Sequence, residues 1–314
     1  YERFADSLAL AVAAPERFRL IELLTSLPET PLAEPHQPPH GHWILCGYGR
    51  FGHAVAERLR NTGIRLTIID PAAGDADHDI IGDGTEASTL RQAGISEARG
   101  IVAGSNNDIN NLSIAVTAHE LNPELFVVAR QNQAANNALF AAYGADFTVL
   151  PSRVIAQECI ALLTAPLLAR FLDRVQQLDE TQCRQLVERL QAACAGLTPV
   201  VWDNRLNAAE APASWQALMH GRTIELGSLL ADAADRQRRL PVVPLLVERG
   251  TDYLLLPADD FTLQAGDQLL FASPLAAQRE LELTLRNANE LDYVLTGNDH
   301  SGSLLGKLLA GRSA

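Results

Sequence analysis

The sequence predicts an α/β protein in which a doubly wound parallel sheet is followed by a second, smaller α+β domain. Three observations support this prediction. Short apolar runs alternate with helical segments from residue 43 to about 165, a pattern typical of parallel sheets covered by helices. A glycine-rich turn follows the first of these runs. From about residue 198 the apolar runs come in pairs around short turns, which indicates antiparallel hairpins.

The chain before the sheet is predicted to be a helical segment followed by a linker. Apolar residues recur at helical spacing over residues 1–27, with an interruption at Pro15. Residues 28–42 are rich in proline, which disfavours helix and stiffens the chain.

Six strands and five helices are predicted in the alternating region. The strands are expected at residues 43–46, 65–69, 79–82, 100–103, 125–129 and 146–150. The helices are expected at about 52–61, 85–93, 108–121, 133–143 and 152–164. Six strands suit the doubly wound order, in which ligands bind beyond the carboxyl ends of the strands.

The rest of the chain is predicted to hold one long helix, a small α+β domain and a tail. The helix spans 172–195, and Pro199 follows it. Its apolar stripe consists of Val175, Leu178, Leu186, Val187 and Leu190. A hairpin is expected around Arg249–Asp252, and residues 265–267 separate two further short runs. The glycine- and serine-rich residues 298–314 are expected to be loosely ordered.

The glycine-rich turn has the spacing of a dinucleotide-binding fingerprint. Gly47, Gly49 and Gly52 form G-x-G-x-x-G between a strand and a helix, and Asp70 follows Gly52 by 18 residues. These glycines allow a tight turn, a close approach to a pyrophosphate and close packing of helix on strand. The helix N-terminus offers free N–H groups to phosphates, and the acid is placed to accept hydrogen bonds from ribose hydroxyls.

Three further residues are candidates for the same site. Arg50 in the first helical turn opposes the helix dipole unless a phosphate is bound there, and the phosphate role is favoured over a solvated arginine. Asp83 follows the third strand, near the expected adenine edge, and is equally suited to cap the helix starting near Thr85. Arg130 ends the fifth strand at the same edge, where it can reach a phosphate or pair with a neighbouring acid.

A polar cluster after the fourth strand also falls at this edge. It is expected to cap the next helix and to lie near a ligand. Its members are Asn106, Asn107, Asp108, Asn110 and Asn111.

Metal binding is not predicted. Asp75, Asp77 and Asp79 with Glu86 superficially resemble a calcium loop, but Ile80 stands where that loop needs glycine. An acidic surface loop is favoured over calcium.

Histidines and cysteines are also expected to serve no metal. The linker histidines are interpreted as solvated: His36, His40 and His42. The cysteines show no C-x-x-C spacing and are interpreted as reduced, mostly packed thiols of a cytosolic protein: Cys46, Cys159, Cys183 and Cys194.

The composition argues against nucleic acid and membrane binding. The formal net charge of −13 would repel nucleic acids and anionic membrane surfaces. No apolar run reaches the roughly 18 residues needed to span a bilayer, and no signal peptide is predicted. The chain begins at Tyr1 rather than Met, so a segment upstream is expected to be missing.

Catalytic groups are not evident. We find no Ser/His/Asp order, no Tyr-x-x-x-Lys pair and no H-E-x-x-H, and the second domain contains only His220 before its tail. Hydride transfer needs a substrate domain with a proton donor and an anion clamp. The chain is therefore predicted not to be an enzyme.

Over several segments that include these motifs, the chain resembles an RCK (KTN) regulatory domain. The resemblance lies in GYGRFGHAVAERL, IID, GDGTEASTLRQAGISEARGIVAGSNNDINNLSIAVTAHELNP, VVARQNQ and GADFTVLPSRVIAQE. Residues 220–285, with LQAGDQLL, resemble the companion C-terminal domain. Two features depart from that pattern: residues 172–216 form a long insert, and the first 42 residues are a candidate tether to a membrane domain.

The resemblance implies a domain organisation. It consists of an N-terminal helix and linker, an RCK N-terminal nucleotide-binding domain with a Rossmann-like sheet, a connecting helix, an RCK C-terminal domain and a tail. The respective boundaries are 1–42, 43–171, 172–197, 198–290 and 291–314.

The resemblance also implies a function. Such modules sense ligands on the cytoplasmic face of the membrane and regulate potassium channels or transporters. They form homodimers that assemble into a higher ring with a membrane channel or transporter domain. In this chain, residues 151–195 are expected to couple the ligand pocket to neighbouring subunits.

The expected ligand is NAD(H) or an adenine nucleotide such as ATP, ADP or AMP, with NAD(H) favoured by the fingerprint. Asp70 would repel the 2′-phosphate of NADP. The nucleotide-binding residues are expected to be Gly47, Tyr48, Gly49, Arg50, Phe51, Gly52, Asp70, Asp83, Gly84, Gly104 and Arg130. The alternatives are an NAD-dependent oxidoreductase, the regulatory domain of a cation/proton antiporter, and a scaffold whose nucleotide site is vestigial.

Overall fold

The computed structural model describes residues 2–31, 38–72, 79–149 and 165–298. The chain divides into two compact units. The first unit comprises Tyr1–Arg19 and Ala33–Glu158, and the second comprises Leu20–Leu32 and Cys159–Ala314.

The first unit is built on a six-stranded parallel sheet with the strand order β3-β2-β1-β4-β5-β6. This is the doubly wound order that the sequence predicts, and the chain reverses direction across the sheet between β1 and β4. The strands are β1 (His42–Cys46), β2 (Arg65–Asp70), β3 (Ile80–Ile81), β4 (Gly100–Ala103), β5 (Phe126–Arg130) and β6 (Phe147–Val149).

Helices accompany these strands in sequence. The N-terminal helices are divided at Ala14, just before the predicted interruption at Pro15. The helix expected at 152–164 falls outside the described residues. The helices are α1 (Glu2–Ala13), α2 (Pro15–Thr25), α3 (Arg50–Asn61), α4 (Ala87–Gln92), α5 (Asp108–Leu121) and α6 (Asn137–Tyr143), with 3-10 turns at Ile95–Glu97 and Ala134–Asn136.

The sheet buries side chains on both faces, as its continuous apolar strands indicate. Alternate residues of β1 enter two separate apolar clusters. Trp43 and Leu45 pack with residues of α1 and α3, whereas Ile44 and Cys46 pack with residues of α4 and α5. The carboxyl ends of the strands therefore lie along one edge of a sheet that has apolar packing on both faces.

One histidine differs from its prediction. His42 is not a solvated linker residue, because β1 begins at this position and the side chain is buried. Its Nε2 lies 2.8 Å from the hydroxyl of Thr67 on β2. Burial, together with the charge of Arg65, lowers the pKa of the His42 imidazole. His40 is exposed, and His36 lies outside the described residues.

The second unit contains a four-stranded antiparallel sheet with the order β7-β10-β8-β9. The predicted hairpin around Arg249–Asp252 is confirmed, since these two residues face each other at the end of the β8–β9 pair. The strands are β7 (Val200–Arg205), β8 (Val243–Arg249), β9 (Asp252–Leu255) and β10 (Gln268–Ser273).

The turn at residues 265–267 connects to one strand rather than two. Before it, Thr262 makes only an isolated bridge to Glu225. Asp267 is buried and accepts two hydrogen bonds from the Arg249 guanidinium, at 2.7 and 2.8 Å. It also accepts the Gln264 N–H at 2.8 Å, so this carboxylate replaces a strand ladder in holding the turn.

The prediction of a single helix over 172–195 is wrong. The helical conformation is interrupted after a 3-10 turn at Val175–Gln177, and a new helix begins with Asp179 as its N-cap. The Asp179 carboxylate accepts the Gln182 N–H, and the Gln182 side chain accepts the Asp179 N–H, which forms a capping box. The predicted stripe from Val175 to Leu190 is nevertheless buried.

The tail also begins later than predicted. A helix occupies Ala288–Thr296, where Leu291 and Val294 are buried, and residues 299–314 lie outside the described part of the chain. The helices of the second unit after residue 165 are α7 (Pro166–Arg174), α8 (Glu180–Ala193), α9 (Pro212–Met219), α10 (Leu226–Leu229), α11 (Leu275–Arg286) and α12 (Ala288–Thr296).

The N-terminal segment contributes to the second unit. Leu20, Leu23 and Leu24 of α2 belong to the same apolar cluster as Phe171 of α7. Past α2, the backbone of residues 27–31 is held on Thr198: the Thr198 hydroxyl donates to the Leu27 carbonyl at 2.5 Å, and the Thr30 N–H donates to that hydroxyl at 3.0 Å.

Candidate functional site

The glycine-rich turn lies between β1 and α3, at the carboxyl edge of the sheet. Gly47 has a φ of +98°, and a Cβ at this position would lie 3.1 Å from the Ser105 nitrogen after β4. Its N–H donates to the Ile69 carbonyl of β2 at 2.9 Å. Gly47 therefore allows a tight turn that passes close to the neighbouring strand ends.

Gly52 allows α3 to pack directly on this turn. A Cβ on Gly52 would lie 2.0 Å from the Gly47 carbonyl oxygen, a distance that no side chain tolerates. The helix can begin close to the turn because both positions are glycine.

Gly49 has a different environment, because it faces open space. A Cβ built on Gly49 meets nothing within 4 Å among the described residues. Gly49 is also the N-cap of α3, and it provides no side-chain cap for the N-terminal N–H groups. Open space beside a helix N-terminus whose N-cap residue has no side chain is an arrangement that accepts a phosphate.

Arg50 and His53 add basic side chains next to that space. Arg50 is the first residue of α3 and is exposed. The exposed His53 ring stacks on the Tyr48 ring, with 3.8 Å between centroids and 29° between planes. No sequence pattern points to His53, since its place beside Tyr48 depends on how α3 leaves the turn.

Asp70 stands at the end of β2 beside the turn. One carboxylate oxygen accepts the Tyr48 N–H at 2.6 Å, and the other accepts the Ala72 N–H at 2.8 Å. The structure thus brings the fingerprint acid onto the glycine turn. Each oxygen retains a further lone pair for another donor.

Arg130 lies behind the turn instead of pointing into solvent. Its side chain is buried, and Nη1 donates to the Gly104 carbonyl at 3.3 Å. The guanidinium carbon lies 4.9 Å from the centre of the Phe51 ring in the first turn of α3. Gly104 allows this packing, since a Cβ there would lie 2.9 Å from the Phe51 ring.

Asp83 and Gly84 follow β3 at the same edge. Asp83 does not cap α4, which begins at Ala87; its carboxylate accepts the Thr85 N–H at 2.9 Å and closes a local turn. A Cβ on Gly84 would lie 2.8 Å from Cys46 Sγ. Burial, with the nearby Asp83 charge, raises the pKa of the Cys46 thiol to about 12, so this thiol is not a nucleophile at neutral pH.

The polar cluster after β4 divides into a cap and two buried anchors. Asn107 caps α5, as predicted, by accepting the Ile109 and Asn110 N–H groups. Asn106 and Asn110 are exposed. The anchors are Asn111 and Asp108, which lie one helical turn apart.

Asn111 joins the ends of two strands. Its side chain is fully buried; it accepts the Ser105 N–H at 2.9 Å and donates to the Ser105 carbonyl at 2.9 Å. The same amide nitrogen donates to the Arg130 carbonyl at 2.7 Å. Asn111 therefore connects the turn after β4 to the end of β5.

Asp108 anchors the loop after β5. Its buried carboxylate accepts the Asn132 N–H, the Gln133 N–H and two side-chain amides. Burial by itself raises the pKa of the Asp108 carboxyl, but these hydrogen bonds outweigh it and hold the pKa below its ordinary value. The carboxylate is therefore charged at neutral pH, as an anchor for four donors requires.

The described part of the chain offers neither a membrane span nor a cluster of metal ligands. No helix there is both long enough and apolar enough to cross a membrane. No group of three or more His, Cys, Asp or Glu side chains in that part of the chain is placed to hold a metal ion. The Asp79 carboxylate accepts the Ile68 N–H at 2.9 Å; Asp75 and Asp77 are not described.

Known proteins resemble this chain mainly over the first sheet. Residues 43–151 match the TrkA-N domain family. Potassium channel protein 1 of Methanocaldococcus jannaschii is 29% identical over 150 residues, which cover 45% of each chain. The Trk system potassium uptake protein TrkA homolog of Methanothermobacter thermautotrophicus is 31% identical over 135 residues, covering 40% of this chain and 62% of that protein.

Among solved structures, the GsuK RCK domain is 22% identical with a TM-score of 0.39, covering 79% of this chain and 47% of that one. The chain thus spans less than two thirds of the length of each of these relatives. The family match covers the glycine turn, the six strands and both anchors of α5. Residues 43–151 of this chain are therefore similar to TrkA-N domains.

Proposed function

We propose that this chain is a nucleotide-sensing regulatory module of a potassium channel or transporter, and that it binds NAD(H) or an adenine nucleotide at the glycine turn without transforming it. The observation that supports the proposal best is the environment of Gly49. Open space lies beside this glycine at the N-terminus of α3, and Asp70 accepts the N–H of the neighbouring Tyr48.

The residues around the turn suggest how the ligand is held. The pyrophosphate would lie against Gly49 and the first N–H groups of α3, with Arg50 beside it. Arg130, behind Phe51, would add positive charge from below the turn. The ribose hydroxyls would donate to Asp70, and Asp83 would lie towards the adenine.

Regulation would follow from a difference in affinity between two states of the module. A ligand shifts an equilibrium only by that difference, and a tenfold difference contributes about 1.4 kcal/mol per site. Several coupled sites are therefore needed for a decisive switch. A homodimer that assembles into a ring, joined to a membrane domain on the cytoplasmic side, would supply them.

The relatives support the potassium-transport part of this proposal. Two of them are named as a potassium channel and as a potassium uptake protein. A regulatory role is favoured over dehydrogenase chemistry because both relatives are named as potassium transport proteins, and because the Cys46 thiol beside the turn is buried with a raised pKa.

The test is a thermal-shift and calorimetric titration with NAD, NADH, NADPH, ATP, ADP and AMP, on the wild type and on Gly49→Ala. We expect at least one adenine nucleotide to raise the unfolding temperature and NADPH to have no effect, because Asp70 repels its 2′-phosphate. Gly49→Ala should unfold within about 1 kcal/mol of the wild type, since its methyl enters empty space at an N-cap, yet lose the nucleotide response.

Two outcomes would contradict the proposal. One is the absence of any shift in the wild type at millimolar nucleotide. The other is unchanged affinity in Gly49→Ala, which would place the ligand elsewhere. Turnover of NADH with a substrate, followed by its absorbance, would instead support the oxidoreductase alternative.

A further inference from the structure

We propose that Asp108 is a positioning residue of the nucleotide site, which sets the place of Arg130 by anchoring the chain just after β5. The inference rests on the nucleotide-binding role proposed above. Asp108 is a buried acid on α5 that is not expected to touch the ligand. It would control the position of the Arg130 guanidinium behind the phosphate site.

The hydrogen bonds of Asp108 are concentrated on one short segment. Oδ1 accepts the backbone N–H and the side-chain amide of Asn132, at 2.6 and 2.8 Å. Oδ2 accepts the Gln133 N–H at 3.1 Å and the Asn136 amide at 2.7 Å. The segment held in this way begins two residues after Arg130.

This segment lies just beyond the strand ladders; apart from Asp108, Asn132 contacts the Ser105 carbonyl after β4, to which its amide donates at 3.3 Å. Residues 131–133 belong to no strand or helix; the ladder between β4 and β5 ends at the Ala103–Ala129 pair, and the ladder between β5 and β6 ends at the Arg130–Val149 pair. The Arg130 carbonyl is held from the same helix face by Asn111, at 2.7 Å. The first turn of α5 thus holds the chain on the C-terminal side of Arg130, where the pairing with β6 ends.

The arginine, in turn, is fixed by contacts with the site. Its guanidinium packs on Phe51 and donates to the Gly104 carbonyl at 3.3 Å, and the side chain is buried. A buried charged side chain cannot easily find a second arrangement, because its desolvation is compensated only where its partners are. A small displacement of the backbone at residue 130 would therefore move the positive charge away from the phosphates.

A purely structural role for Asp108 makes a different prediction from a positioning role. If Asp108 only stabilises the loop, its loss and the loss of Arg130 should weaken nucleotide binding independently, or not at all. If Asp108 acts through Arg130, its loss should have no further effect once the arginine is gone. A double-mutant cycle measures this difference.

The cycle uses the 314-residue chain as wild type, Asp108→Asn, Arg130→Met and the double variant, each titrated with NADH and with ADP by calorimetry. Asp146→Asn is the matched control: Asp146 accepts the Val127 N–H at 2.7 Å near the start of β5, away from the site edge. Apo thermal unfolding of each protein is recorded in parallel.

We expect each single variant to bind about tenfold more weakly, within the range of coupling between contacting groups. The double variant should bind no more weakly than Arg130→Met, and Asp146→Asn should bind like the wild type. If Asp108→Asn does not fold, Asn132→Ala replaces it, because that change removes one donor to Asp108 and leaves the backbone bonds; a smaller loss with the same non-additivity is expected.

Additive losses, or wild-type affinity in Asp108→Asn, would overturn the positioning role while leaving nucleotide binding intact. A loss in Asp146→Asn as large as that in Asp108→Asn would also overturn it, because the effect would then be one of general stability. A wild type that binds neither NADH nor ADP would overturn the proposed function and this inference with it.

Discussion

Single residues in the glycine turn have separate tasks although they belong to one motif. Gly47 accepts a positive φ, Gly52 allows contact with the Gly47 carbonyl, and Gly49 leaves space for something else. Gly47 and Gly52 are therefore required by the fold, whereas Gly49 is the one for which a role in binding is proposed.

This division predicts opposite behaviour for two alanine variants. Gly52→Ala places a methyl 2.0 Å from the Gly47 oxygen, and relieving that clash should cost about 1–3 kcal/mol or more of unfolding free energy. Chemical denaturation measures the change, with Gly49→Ala as the control of similar chemistry. Equal stability of the two variants would show that the turn relaxes more freely than its contacts indicate.

At the same scale, the fingerprint could be predicted from sequence but the partners of its charged residues could not. Spacing alone placed Asp70 at the turn. It could not show that both Asp70 oxygens accept backbone N–H groups, or that Arg130 is buried behind Phe51. Those facts depend on the exact approach of three strand ends, which no local pattern encodes.

Secondary-structure elements show where periodicity succeeds and where it fails. The parallel strands were predicted to within one or two residues, because buried strands of this type are short apolar runs bounded by turns. The interruption between α7 and α8 was missed, because the apolar stripe continues across it from Val175 to Leu186. The signal was present in the capping box of Asp179 and Gln182.

The capping box predicts a local contribution to stability. Asp179→Ala removes the acceptor for the Gln182 N–H and should lower the unfolding free energy by about 1 kcal/mol. Glu188→Ala, at an exposed position within the same helix, should leave it nearly unchanged. Thermal denaturation compares the two, and a smaller effect at Asp179 than at Glu188 would contradict the assigned helix start.

At the scale of the whole molecule, the chain passes from the first unit to the second at residue 20, returns to the first at residue 33 and enters the second again at residue 159. Ala5, Leu8 and Val12 of α1 belong to a core cluster of the first unit, whereas Leu20, Leu23 and Leu24 belong to a cluster of the second. This arrangement could not be predicted locally, because residues 20–31 find their partners 140 or more residues later in the chain.

The arrangement predicts that the N-terminal segment stays bound after the chain is cut. A protease site introduced within residues 32–37 should, once cleaved, give two fragments that co-elute in size-exclusion chromatography and separate in denaturant. Leu24→Asp should release the N-terminal fragment more readily, because it buries a charge. Leu27→Asp is the control, since Leu27 is 48% exposed. Spontaneous separation of the wild-type fragments would contradict the assignment.

The hydrogen bonds between Thr198 and residues 27–31 also have a consequence for the order in which the chain folds during translation. The Thr30–Thr198 bonds join positions 168 residues apart, so α2 leaves the ribosome long before its partners are made. Leu20, Leu23 and Leu24 of α2 therefore remain without their apolar partners while the sheet of the first unit is synthesised and can fold. Closure of the second unit is therefore a late, long-range step, and a chaperone that covers α2 during translation would be expected to raise the yield of folded protein.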